Sequence, residues 1–178
     1  MTKKLIAFLA PLLVSFSTGC MTYRNFPTQS PASMPAKREA TLHYNIDGSA
    51  LFAGPSAIRD VLASDAPYSS LSPSDKPGNS GDFLQVKIDQ SPPSMPAVVF
   101  GYISYSTLTI LPFWSNQDGS ILTFTLYRNG AQQESKEYLI NRGTFVWLGM
   151  LPFAWVNFMT PSEADAFRAC ARDFLARI

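Results

Sequence analysis

The chain predicts an α+β fold: a mostly antiparallel sheet of four to six strands, with a short helix and a C-terminal amphipathic helix packed on one face. Three patterns carry that expectation. Leu42, Tyr44 and Ile46 alternate with His43, Asn45 and Asp47, and Leu84, Val86 and Ile88 alternate with Gln85, Lys87 and Asp89. Alternation of that kind is the period of a half-buried strand. Leu122, Phe124 and Leu126 repeat the pattern and run into Asn129-Gly130, the dipeptide favoured in a two-residue hairpin turn. Finally, Phe167, Cys170, Ala171, Phe174, Leu175 and Ile178 recur at spacings of three and four, the apolar stripe of a helix lying on a sheet.

Taken in order, the chain opens with Lys3 and Lys4, continues with the apolar run of residues 5–16, and reaches the small residues Ser17, Thr18 and Gly19 before Cys20. Basic, apolar and small segments in that order read as a secretory signal peptide over residues 1–19, too short in its apolar part to span a bilayer. With a cysteine directly after the small residues, the segment resembles bacterial prolipoproteins. That resemblance implies cleavage before Cys20, a diacylglycerol on its sulfur and acylation (typically palmitate) of the new amine. Ser17 departs from the family, which carries Leu, Val or Ile there. The residue after the cysteine is Met21; an Asp at that place goes with retention at the inner membrane. Its absence implies, by the same resemblance, an outer-membrane lipoprotein whose domain faces the periplasm.

Residues 20–40 read as the lipidated cysteine and a Pro/Ser-rich tether, with Pro27, Pro31 and Pro35 and no apolar period. A single domain is expected over residues 41–178. After its first strand, Pro55 suits a first helical position, and Ile58, Val61 and Leu62 share one face of a helix over residues 55–66. Residues 67–81 are rich in Ser, Pro, Gly and Asp and read as a loop. Strand, helix and strand over residues 41–89 fit a parallel crossover. The return of the hairpin, residues 131–140, is polar on both sides, through Gln132, Gln133, Glu134, Lys136 and Glu137, which suits a sheet edge. Thr160 and Glu163 fit a capping box, with Pro161 at the first helical position.

Composition narrows the function classes. Losing Lys3 and Lys4 with the signal takes fourteen basic side chains to twelve, against thirteen acidic. That balance does not fit nucleic acid. With Cys20 taken by lipid, Cys170 has no partner for an internal disulfide and reads as an inert thiol. His43 is the sole histidine, and no nucleophile elbow, metal motif or phosphate loop accompanies it. The sequence therefore calls for no cofactor and no metal. The catalytic alternative is an envelope hydrolase using acidic residues such as Asp47, Asp82 and Asp89, a pair of which would supply acid and base.

Two apolar stretches remain, residues 98–114 and 144–159. Each is free of charge and carries Leu-Pro-Phe shortly before a tryptophan: Leu111, Phe113 and Trp114 in the first, Leu151, Phe153 and Trp155 in the second, which also holds Trp147. Prolines and length exclude spanning helices. Three readings stay open: strands buried on both faces, a wedge in the membrane interface, or a surface for a protein partner or a second copy. In outline the chain loosely resembles small envelope accessory lipoproteins of secretion and assembly systems. The resemblance implies a non-catalytic accessory or structural role.

Overall fold

Among the described residues the strands form one six-stranded sheet in the order β1-β6-β5-β4-β2-β3. They are β1 (Cys20–Arg24), β2 (Arg38–Gly48), β3 (Tyr68–Pro73), β4 (Asp82–Ser91), β5 (Phe113–Arg128) and β6 (Ala131–Val146). Three helices accompany them among the described residues: α1 (Gly54–Asp65), α2 (Met95–Ser106) and α3 (Glu163–Leu175), with a 3-10 segment over Leu148–Met159. The computed structural model describes residues 20–28, 35–48, 53–78 and 80–178, apart from the side chains of Gln117, Leu151, Phe153 and Ala154. The expected signal peptide, residues 1–19, lies outside them.

The sheet is mixed rather than mostly antiparallel. β2 runs parallel to both β3 and β4, with Leu42 beside Leu71 and Asp82, whereas β4 and β5 are antiparallel from Asp82↔Arg128 to Ser91↔Gly119. The parallel crossover expected over residues 41–89 is present. The segment read as a loop contains β3, because Tyr68 is buried and its hydroxyl donates to Asp82 Oδ2 at 2.7 Å. The rest of β3 is Ser-rich and largely exposed, which an edge strand tolerates. Asn129 and Gly130 both adopt left-handed φ, 52° and 77°, as the expected turn requires. The β6 residues expected at an edge are exposed over positions 131–135, but the edge itself belongs to the five-residue β1.

The described residues divide into two compact units. The larger comprises Arg24–Ser91, Gly119–Ile140 and Ser162–Ile178 and holds the core: Leu84, Val86 and Ile88 face Leu126, Phe124 and Leu122 across the ladder. Phe124 stacks on Phe174 of α3 at 5.2 Å and meets Tyr138 edge-on at 5.7 Å. α1 buries Ala57, Ile58, Val61 and Leu62 and comes so close to α3 that a Cβ at Gly54 would sit 2.6 Å from the Phe167 ring. Arg172 Nε donates to Asp65 Oδ2 at 2.7 Å across the same pair of helices. Cys170 is buried in the α3 stripe, and burial pushes its thiol up to about 12, so the inert reading suits it.

The α3 cap sits two residues beyond its expected place. Ser162 Oγ accepts from the Asp165 amide, and the Asp165 carboxylate accepts from the Ser162 amide. Thr160 is held elsewhere: its hydroxyl donates to the carbonyls of Met21 and Asn157.

Candidate functional site

The smaller unit comprises the described residues up to Tyr23, Pro92–Asp118 and Asn141–Pro161. Its α2 helix falls in the stretch that allowed a doubly buried strand, and it is neither a strand nor buried. Ala97, Gly101 and Ser104 turn inward, four and three residues apart. Their small side chains let the helix approach closely; a Cβ at Gly101 would lie 3.6 Å from the Phe113 ring. Ser104 Oγ donates to the Leu111 carbonyl at 2.8 Å. The bulky residues therefore point outward, with Phe100 60% and Tyr102 74% exposed. An amphipathic surface helix hides its large apolar residues and shows its polar ones. α2 does the reverse.

Beyond α2 the chain turns at Leu108 and Thr109, both at left-handed φ, 50° and 60°. For a β-branched residue such as Thr109 that conformation is strained. It is held by Thr109 N donating to the Ser104 carbonyl at 2.7 Å and by Leu148 N donating to the Thr109 carbonyl at 2.8 Å. The turn leaves Leu108, Ile110 and Leu111 exposed. Trp147 Nε1 donates to the Ile110 carbonyl at 3.1 Å and ties the 3-10 segment to the same turn.

Of the residues singled out in the sequence, Leu111, Trp114, Trp147 and Trp155 are exposed and Phe113 is half-buried. All belong to this unit. The side chains of Leu151 and Phe153 lie outside the described residues. The pattern did not single out Phe100, Tyr102, Leu108, Phe158 or Met159, although all are exposed. The signal for α2 was present as Ala97, Gly101 and Ser104 at helical spacing in a run with no other period. Trp114 also borders a groove of about 310 Å³ with Ser94, Pro96, Ala97, Phe100, Ser115 and Asn116.

One buried polar cluster supports this surface. Asp118, only 5% exposed at its side chain, accepts from Ser115 Oγ at 2.8 Å and from Arg142 Nε at 2.9 Å, with Arg142 Nη2 on the same oxygen as Nε. Cys20, the expected lipid site, is half-buried at the start of β1. Met21 N donates to Asn157 Oδ1 at 3.1 Å, and the Met21 carbonyl accepts from Thr160. Residues 20–24, the beginning of the expected tether, are thus strand, and the first of them are bonded to the end of the 3-10 segment.

Of the three acids of the hydrolase alternative, Asp82 stands apart from the other two. Asp82 accepts from Tyr68 and Arg128, while Asp89 pairs with Lys87 at 2.8 Å. Seven residue steps along β4 separate Asp82 from Asp89, about 23 Å, beyond the spacing of a glycosidase pair. Asp47 lies beside Lys87 in the ladder, so that lysine stands next to both remaining acids.

No family model and no curated protein matches the chain. Among solved structures it is similar to a dodecamer of a PelC point variant from Paraburkholderia phytofirmans, at 12% identity and a TM-score of 0.35, covering 89% of this chain and 99% of that one. It is also similar to the rare lipoprotein B from Shewanella oneidensis, at 13% identity and a TM-score of 0.35, covering 77% of this chain and 91% of that one.

Proposed function

We propose that this chain is an outer-membrane lipoprotein of the bacterial envelope, anchored by lipid on Cys20 with its domain facing the periplasm. Its role is accessory or structural rather than catalytic, and it engages an apolar partner through the smaller unit. The observation that carries this reading is the distribution of exposed apolar surface. Among the described residues, every exposed large apolar side chain except Leu139 belongs to the smaller unit. Monomers that stay free in water rarely leave so much apolar surface together. The larger unit has an ordinary buried core and a charged exterior.

The anchor is tested by the mass of the N-terminal peptide from the membrane-extracted protein. The expected peptide begins at Cys20 and carries a diacylglycerol on sulfur. A free Cys20 thiol within an uncleaved chain would contradict the reading.

A further inference from the structure

We propose that the occupant of this apolar surface is the lipid bilayer itself, entered at interfacial depth by the outward face of α2, the Leu108–Ile110 turn and the end of the 3-10 segment. The proposal rests on the reading of Cys20 as the lipid site and adds the residues that meet the lipid. Val99, Tyr102, Leu108, Ile110, Trp155 and Phe158 make the contact; Phe158 is 90% exposed.

Three observations favour lipid over a protein. The first is the position of the anchor. Acyl chains leaving Cys20 start one residue, about 3.8 Å of backbone, from Met21, which is bonded to Asn157 and Thr160 on either side of Phe158 and Met159. No slack separates the lipid from the apolar surface; the Pro-rich residues come after β1, not before it. The second is charge. Residues 90–117 and 143–162 contain no Lys, Arg, Asp or Glu, although a protein interface usually has a polar rim. Trp, Tyr, Phe and Leu without charge suit the membrane interface, where amphipathic rings settle at headgroup level. The third is the construction of α2. Small residues packed inward and bulky apolar ones outward make a helix suited to apolar surroundings. The strained backbone at Leu108 and Thr109 holds apolar side chains out in the same unit. No helix among the described residues is long and apolar enough to cross a membrane, so the contact is with one leaflet, about 5–10 Å deep.

The mature chain, residues 20–178 carrying Cys20→Ser, is mixed with vesicles of phosphatidylethanolamine and phosphatidylglycerol, with and without phosphatidylcholine brominated on its acyl chains. The expected result is co-flotation with the vesicles and quenching of tryptophan emission by the bromines. Phe158→Asp should lower the vesicle partition about tenfold or more, the loss that follows from removing one buried phenyl ring, with an unchanged circular dichroism spectrum. Tyr102→Asp, on a different element, should do the same. Failure to float together with absence of bromine quenching would overturn the proposal. So would a stable oligomer that protects its tryptophans and ignores vesicles, which would assign the surface to a second copy. An unlipidated Cys20 in cells, with flotation intact, would remove the anchor and leave the docking surface standing. A lipidated Cys20 whose chain shows no bromine quenching would do the opposite.

Discussion

Arg142→Met should destabilise the protein by about 3–5 kcal/mol, the cost of leaving one member of a buried ion pair without its partner. Asp118 is nearly inaccessible, and Arg142 supplies two N–H groups to its Oδ2 while Ser115 serves Oδ1. With methionine at position 142 the carboxylate keeps, among the described residues, the serine hydroxyl alone. The cluster lies in the smaller unit, and Ser115 follows Trp114 on β5, so the pair fixes the strand from which Trp114 projects. The double variant Asp118→Leu/Arg142→Met should recover most of the loss, because an apolar pair of similar volume removes the desolvation cost of both charges. Urea denaturation of the parent and both variants measures the two effects. A single-variant loss under about 1 kcal/mol would put the pair among exposed salt bridges, which contribute little.

Asp173 makes the chain sensitive to acid in a specific window. Burial alone would raise its carboxyl, but hydrogen bonds from Lys136, Tyr138 and Arg177 outweigh it and hold the group at about 2, below the ordinary 3.8. Lys136 Nζ stands 2.8 Å, Tyr138 OH 2.6 Å and Arg177 Nε 3.2 Å from the same Oδ2. A group depressed on folding stabilises the fold above its unfolded pKa and loses that contribution as pH falls through the folded one. The stabilisation is therefore complete above about pH 4 and disappears toward pH 2. A depression of nearly two units corresponds to about 2 kcal/mol, reduced to roughly 1–2 kcal/mol because the side chain is a quarter exposed to solvent screening. Asp173→Asn should show that deficit at pH 6 and converge with the parent protein near pH 2. A deficit unchanged down to pH 2 would assign it to lost geometry rather than charge.

The sequence made the larger unit readable because its elements obey local rules. Alternation located β2, β4 and the later half of β5; Asn129-Gly130 located the turn; the stripe from Phe167 to Leu175 located α3. Direction was not readable in the same way. Nothing in a strand's own residues distinguishes a parallel neighbour from an antiparallel one, and β3 hid among serines because an edge strand needs few apolar side chains. The α3 cap shows the same limit. Thr160/Glu163 and Ser162/Asp165 both satisfy the capping pattern, and the choice falls to Ser162 because Met21, far away in sequence, draws the Thr160 hydroxyl outside the helix.

The smaller unit was legible only as composition. A continuous apolar run cannot separate a buried strand from a helix by periodicity. For α2 the usual inference from apolar residue to buried residue also fails, since its small residues face inward and its large ones face out. The tryptophans drew attention to the correct unit. Phe158 and Met159 stood at the end of the same run, with no pattern to mark them as its most exposed members.

The apolar surface of the smaller unit is open on the isolated chain. Quenching of the tryptophan emission of the mature Cys20→Ser chain by acrylamide, at low concentration and without lipid or detergent, measures that exposure. With Trp114 67%, Trp155 57% and Trp147 41% exposed, the expected result is red-shifted emission and strong quenching, which Trp114→Phe/Trp155→Phe reduces to the contribution of Trp147. Blue-shifted emission that resists acrylamide would contradict it and return both apolar stretches to the core.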